Sequence, residues 1–292
     1  MPSLRTELIA RLTLPNALAA LGDAARWLEA HGCTPVVETA SAEAASLGTR
    51  WQTVPRATLG VNADVVIAFG GDGTLLDAAS AVAHAGGEAP LIGINLGRLG
   101  FLTEAGPGDL EAALRALIDG RTTVDSRLML AGRVIRGSAT AGARFALNDI
   151  VVTRGALSRM IELDVDVDGH FVCHVKADGL IVATATGSTA YNLSAGGPIL
   201  HPAVDAFVLT PIAPHALTNR PLVLPATARI TLKPQIDAKS DLVATFDGQF
   251  GVPLVAGDVV EVQRAPRVLR LLRMSGRTHF DVLRDKLKWG DA

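Results

Sequence analysis

The sequence predicts an α/β protein in two parts: an N-terminal parallel-sheet α/β domain, then a C-terminal β-rich, β-sandwich-like domain. Over the first 125 residues, short apolar runs alternate with alanine-rich stretches of helical spacing, the rhythm of a parallel sheet wrapped by helices. From about Asp125 the pattern drops to a period of two, the signature of half-buried strands. Two apolar runs of the first part end in glycine-rich loops, at Gly70-Gly71-Asp72-Gly73 and Gly97-Arg98-Leu99-Gly100, and open α/β sheets bind ligands at strand ends of this kind. The expected division is 1–125, 126–274 and a terminal helical segment 275–292.

Pro15 to Ala30 places Leu18, Leu21, Ala25 and Leu28 on one helical face. Residues 64–69 and 90–95 are the clearest strands, a helix is expected to begin near Leu75, and 108–120 reads as a further helix. In the second part Ile161, Leu163, Val165 and Val167 alternate with Glu162, Asp164 and Asp166. Asp168-Gly169 then supplies a hairpin turn, and Phe171, Cys173 and Val175 resume the alternation. Further strands are expected at 145–153, 180–184, 228–233, 242–246, 259–264 and 268–272, followed by a helix over 280–287.

Hydrophobic residues make up 49% of the chain and charged ones 19%, so a large core is readily supplied. A net charge of −2 gives no electrostatic footprint for nucleic acid, and no lysine-arginine run marks a membrane surface. No apolar run approaches the roughly 20 residues that span a bilayer. Arg5, Glu7 and Arg11 interrupt any signal-peptide core, and the two cysteines, Cys33 and Cys173, show no pairing or metal spacing. The expectation is a cytoplasmic protein with neither nucleic acid nor membrane as partner.

The stretch from Asp64 to Leu76 runs an apolar strand into three glycines around an acid and then into a helix. Glycines let backbone approach phosphate, and helix N-termini attract anions. A carboxylate at the centre repels phosphate unless a metal intervenes or the acid takes part in the reaction, so Asp72 points to phosphoryl-transfer chemistry. A Walker A loop is excluded because no lysine follows Gly73, and the dinucleotide fingerprint fails because the glycines fall as G-G-x-G. The competing reading makes Asp72 a simple helix cap.

A second cluster runs from Lys176 to Pro198, where an apolar strand enters a hydroxyl-rich segment around Gly187, followed by the only tyrosine, Tyr191. Such donors and acceptors beside a flat ring suit a sugar-nucleotide, although a turn capping a helix has the same composition. Asn148-Asp149 before a strand can bind two ribose hydroxyls or form a turn, and Asp247-Gly248-Gln249 shares that ambiguity. None of the seven histidines sits in a metal or nucleophile motif.

Together these motifs resemble the bacterial NAD kinase family. The resemblance rests on Gly70-Gly71-Asp72-Gly73-Thr74, the segment from Gly93 to Leu102, Asn148-Asp149, and Asp178-Gly179-Leu180. It continues through Thr186-Gly187-Ser188-Thr189-Ala190-Tyr191, Ser194 to Pro198, Thr210-Pro211, Asn219 to Leu222 and Asp247-Gly248-Gln249, in the family's order from about residue 60 onward. It implies phosphorylation of the adenosine ribose 2′-hydroxyl of NAD by ATP or polyphosphate with a divalent metal, Mg²⁺ in the first place. It also implies a final helix packed on the first domain and a homo-oligomer, tetramer or dimer, whose groove near Asp178 and Ala213 is completed by a neighbour.

Position by position, the resemblance makes Asp72 the base or hydroxyl-orienting group and Gly73 the point of backbone approach. Asn148 and Asp149 contact the adenosine half of NAD. Thr189, Ala190, Tyr191, Asn192, Leu193 and Ser194 belong to the dinucleotide groove. Lys176, Asp178, Ala213 and Gln249 match further ligand contacts, Phe101 packs on a ring, and Arg159 joins Lys176 as a supporting charge. No metal ligand is assigned to the protein. Lys176 stands where many relatives carry arginine and so lacks the bidentate fork. A lipid or sugar kinase sharing the glycine-aspartate loop and a non-catalytic NAD(P) sensor are the rival readings. The ribose-binding pair argues against the first, and retention of Asp72 against the second.

Overall fold

The computed structural model describes the chain except residues 1–2, 98–99, 104, 156–159, 217, 237–240, 275, 277 and 290–292. It forms two compact units, residues 1–126 with 269–292, and residues 127–268. No helix among the described residues is long and apolar enough to cross a membrane.

The first unit begins with β1 (Arg5–Ala10), α1 (Pro15–Ala30), β2 (Thr34–Glu38), α2 (Thr39–Ala44) and β3 (Gln52–Val54). It continues with β4 (Val65–Gly70), α3 (Asp72–Ala85), β5 (Leu91–Asn95), α4 (Leu110–Ile118) and β6 (Thr122–Arg127). Pro15 opens α1, where a missing N–H costs nothing, and Leu21, Ala25 and Leu28 are fully buried as their spacing requires. Their packing partners are Leu8, Ile67, Phe69, Ile92 and Ile94 of the sheet. Every residue of β4 and β5 is buried, as befits strands covered on both faces.

The second unit contains β7 (Leu130–Arg136), β8 (Ala139–Ala146), β9 (Asp149–Arg154), β10 (Ile161–Val167), β11 (His170–Ala177) and β12 (Gly179–Thr184). After α5 (Tyr191–Ser194) come β13 (Ala206–Ile212), β14 (Leu222–Pro225), β15 (Ile230–Gln235), β16 (Leu242–Phe246), β17 (Phe250–Leu254) and β18 (Val259–Arg264). They form two six-stranded sheets, ordered β11-β10-β15-β18-β7-β8 and β14-β13-β12-β9-β16-β17. One core joins Leu130, Val134 and Leu163 of the first sheet to Ile150, Val182 and Phe207 of the second, making a sandwich. The expected hairpin forms at Asp168-Gly169, both with positive φ (52° and 81°).

The chain then gives β19 (Leu269–Met274) and α6 (His279–Leu287) to the first unit. β19 pairs parallel to β5, completing the order β3-β2-β1-β4-β5-β19-β6. The strand expected at 268–272 therefore joins the sheet of the first unit. Alternation identifies a strand but does not say which sheet receives it. Likewise the single strand expected at 145–153 is two strands, β8 and β9, in different sheets. Residues 39–62, which matched no expectation, supply α2 and the sheet's edge strand β3.

Candidate active site

The order β3-β2-β1-β4-β5 reverses direction between β1 and β4, so the crevice at their carboxyl ends is where an open α/β sheet binds ligand. The glycine-aspartate loop occupies that position. A Cβ on Gly70 would lie 2.2 Å from the Thr74 hydroxyl oxygen, so this turn into α3 accepts only glycine. α3 begins at Asp72 itself rather than near Leu75, and its cap residue is Gly71. Asp72 is therefore not the cap. Its carboxylate accepts hydrogen bonds from a different loop: Oδ2 from the Phe101 N–H at 2.7 Å, Oδ1 from the Leu102 and Thr103 N–H groups at 3.1 and 3.2 Å. The Thr103 hydroxyl donates to Oδ1 as well, at 3.3 Å. A Cβ on Gly100 would lie 1.8 Å from Oδ1, so the approach of this loop also requires glycine. Gly73 is exposed in the first turn of α3, and Phe101 is half-buried.

In the second unit Leu147 and Asn148 carry the chain from one sheet to the other. The turn after β16 holds this crossing. Asp247 and Gly248 adopt φ of 50° and 64°, the hairpin geometry favoured by Asp-Gly, and the Asp247 carboxylate reaches back to three successive backbone donors. It accepts from the N–H of Leu147 at 2.8 Å, Asn148 at 2.7 Å and Asp149 at 3.1 Å. The Thr184 N–H donates to the Asn148 carbonyl at 2.9 Å, and a Cβ on Gly187 would lie 2.0 Å from that carbonyl oxygen. The backbone of the Asn-Asp pair is thus fixed from three sides.

Asp149 is 5% exposed and its carboxylate has no hydrogen-bond donor among the described residues. Burial, reinforced by the Asp247 charge, pushes its pKa up to about 7. Burial also pushes Asp247 up to about 6, against the pull of its three N–H donors. Both acids therefore titrate near neutrality.

The hydroxyl-rich segment is tied internally. The Ser188 hydroxyl donates to the Ala185 carbonyl and accepts from the Leu200 N–H. Asn192 is fully buried, its amide donating to the Ser188 and Pro198 carbonyls and accepting from the Thr210 hydroxyl. Its side chain holds the turn that presents Tyr191, which is 47% exposed. Thr189, Ala190 and Leu193 are half-buried, and Ser194 is exposed.

Asp178 lies between β11 and β12, where the chain changes sheets, and Arg154 Nε donates to its carboxylate at 3.0 Å. Its backbone N–H donates to Ile212, next to exposed Ala213, whose φ of 44° is rare for a residue with a Cβ. Lys176 is exposed and ion-paired with Glu162 on the β10–β11 hairpin, which holds the Glu162 carboxyl below its usual range. Gln249 is exposed in the turn after Asp247. Arg159 falls outside the described residues. The structure thus gathers Asp72, Gly73 and Phe101 in the first unit. In the second it gathers Asn148 and Asp149 with the turn of Gln249 and the start of the hydroxyl-rich segment, and Asp178 with Ala213.

Sequence reasoning gave no role of their own to Thr103 and Asn95. Asp247 was legible as a ribose contact or a turn residue, and neither reading reveals where its carboxylate points.

Residues 8–122 match the ATP-NAD kinase N-terminal domain and residues 147–274 the ATP-NAD kinase C-terminal domain. The chain is 42% identical over 287 residues to the NAD kinase of Geotalea daltonii, covering 98% of this chain and 99% of that protein. The NAD kinase of a Polaromonas species is also 42% identical, over 98% and 96% of the two chains. Among solved structures, yeast NADH kinase complexed with NADH superposes with a TM-score of 0.87 at 26% identity, covering 100% of this chain and 89% of that one. An NAD kinase from Archaeoglobus fulgidus in complex with ATP gives 0.74 at 26% identity, covering 98% and 99%. The two sequence families that match, the near-complete relatives and the shared fold agree that this chain belongs to the NAD kinase family.

Proposed function

We propose that the chain transfers the terminal phosphate of ATP, or of polyphosphate, to the adenosine ribose 2′-hydroxyl of NAD, with Asp72 receiving the hydroxyl and Asn148 and Asp149 holding the adenosine half. As a member of its family the chain is an enzyme that phosphorylates NAD. The observation that carries the residue assignment is the Asp149 carboxylate, on a residue only 5% exposed, which has no donor among the described residues and whose oxygens remain accessible to a ligand. An ionised carboxylate only accepts, so the complement of one that no protein group donates to is a ligand rich in O–H or N–H donors. A ribose and an adenine supply both.

Asp72 stands at the carboxyl end of β4 and at the N-terminus of α3. There it orients the hydroxyl in line and takes its proton. Phosphoryl transfer asks mainly for positioning and charge neutralisation, and the exposed backbone at Gly73 gives donor phosphates close approach. Tyr191 offers a face to a ring, and Phe101 a second.

Among the described residues no group of three or more His, Cys, Asp or Glu side chains could hold a metal ion. A Mg²⁺ carried largely by substrate phosphates needs only one or two carboxylates from the protein. Bound there, the ion would neutralise phosphate charge.

The reading includes a cytoplasmic homo-oligomer, a tetramer in the first place, with a neighbour completing the groove near Asp178 and Ala213. The edge strand β14, with Leu222 and Val223 exposed, offers a docking surface. The test is to incubate the purified protein with NAD, Mg²⁺ and either donor, and to detect NADP with an NADP-specific dehydrogenase. NADP should form and disappear with EDTA. No NADP from either donor would overturn the reading.

A further inference from the structure

We propose that Asn95 and Thr103 are positioning residues for Asp72: a buried relay rooted in the sheet that fixes the Asp72 carboxylate and leaves one acceptor direction, on Oδ2, for the substrate hydroxyl. It rests on the reading of Asp72 as the group that meets that hydroxyl.

The direction of each bond follows from counting donors and acceptors. Asn95 Oδ1 accepts the Gly97 N–H at 2.8 Å, which fixes the amide so that Nδ2 donates to the Thr103 hydroxyl at 3.1 Å. That hydroxyl also accepts the Gly100 N–H at 3.1 Å. Both of its lone pairs are then filled, and its single proton is left for Asp72 Oδ1 at 3.3 Å. Oδ1 receives three donors that share its two lone pairs, the Thr103 hydroxyl and the N–H groups of Leu102 and Thr103, so it is saturated, whereas among the described residues Oδ2 receives only the Phe101 N–H. A carboxylate has about four lone-pair sites, two on each oxygen, and only Oδ2 keeps one for a ligand.

The relay is anchored away from the loop it serves. Asn95 is the last residue of β5, in register with Gly70 of β4, and its backbone N–H donates to Ala105 at 2.8 Å. Asn95 and Thr103 are each 3% exposed. Backbone N–H groups alone would tether the loop to Asp72. The hydroxyl and the amide add a rigid path from the central sheet to the carboxylate itself, the placement that in-line attack demands.

The experiment compares Thr103→Val, which keeps the shape and removes the hydroxyl, with Thr103→Ser, which keeps the hydroxyl. Each is measured for kcat and for KM of NAD and ATP, with a thermal melt. Thr103→Val should lower kcat by about 10- to 100-fold with both KM values within about threefold of wild type, and Thr103→Ser should restore kcat to within about threefold. In an Asp72→Asn background Thr103→Val should change kcat by less than about threefold, since no carboxylate remains to be positioned. Equal losses in both backgrounds, a loss confined to KM, or a Thr103→Val enzyme within about threefold of wild type would overturn the relay. Should Thr103→Val melt below the assay temperature, Asn95→Ala, which leaves Thr103 free to turn its hydroxyl away, is judged by the same criteria. A wild-type protein that forms no NADP would overturn the activity, whereas an active wild type with a silent Thr103→Val overturns the relay alone.

Discussion

Replacing Asp247 by asparagine should leave stability almost unchanged while moving the pH at which NAD binding weakens. An amide keeps one oxygen for the Asn148 and Asp149 N–H groups, at 2.7 and 3.1 Å, but sets its NH₂ against the Leu147 N–H. A buried donor facing a donor costs about 1–3 kcal/mol. Against this, the rise of Asp247 from 3.8 to about 6 shows that its charged form is disfavoured in the fold by about 3 kcal/mol even with its three bonds. Asparagine removes that penalty, so the effects nearly cancel and Tm near neutral pH should move by less than about 4 °C.

The larger effect falls on Asp149, which loses a neighbouring charge while burial still holds its pKa above the usual carboxylate range. In the wild type the KM for NAD should rise as pH falls below about 7, as Asp149 becomes protonated, and in Asp247→Asn this rise should begin at lower pH. Stability gives an independent check of sign. A raised folded pKa means stability fully present below the unfolded value of 3.8 and lost as pH rises through about 6. Asparagine does not titrate, so the variant should gain on the wild type as pH rises through that window. The assay is KM for NAD at saturating ATP from about pH 5.5 to 8.5, with melts at each point. An unmoved KM midpoint, or a Tm loss above about 10 °C, would refute the charge coupling.

Asp72→Asn should lower kcat by about 10²–10⁴-fold with NAD affinity retained by calorimetry; turnover within about threefold of wild type would remove Asp72 from the chemistry. Because that carboxylate also receives three N–H groups, the variant should show faster amide exchange at residues 101–103. Gly187→Ala places a methyl 2.0 Å from the Asn148 carbonyl oxygen, and backbone gives way poorly. It should cost about 3 kcal/mol or more in denaturant unfolding, and an unchanged midpoint would contradict the packing of these segments. Light scattering should report a mass well above the 30.4 kDa monomer, and a fully active monomer at assay concentration would refute the oligomer.

The sequence by itself determined what depends on local pattern. The face of α1, the apolar runs of β4 and β5, the Asp168-Gly169 hairpin and the break from helical spacing to alternation near Asp125 all follow from neighbours a few residues apart. Its motifs likewise pointed to the family to which the chain belongs, and singled out Asp72 and Asn148-Asp149 as candidates. Tertiary structure alone decided which sheet receives a strand: β19 reads like its predecessors yet pairs with β5, and 145–153 divides between two sheets. It alone also decided where side chains spend their hydrogen bonds. Local sequence left a helix cap as the competing reading of Asp72, yet its carboxylate accepts from residues 101–103, about thirty positions away. Asp247 looked like a turn but holds Leu147 to Asp149, about a hundred positions away. The physical reason is the same in both cases. A carboxylate must find donors when folding takes it from water, and its choice is set by which backbone the packed core brings within about 3 Å, not by its neighbours in sequence.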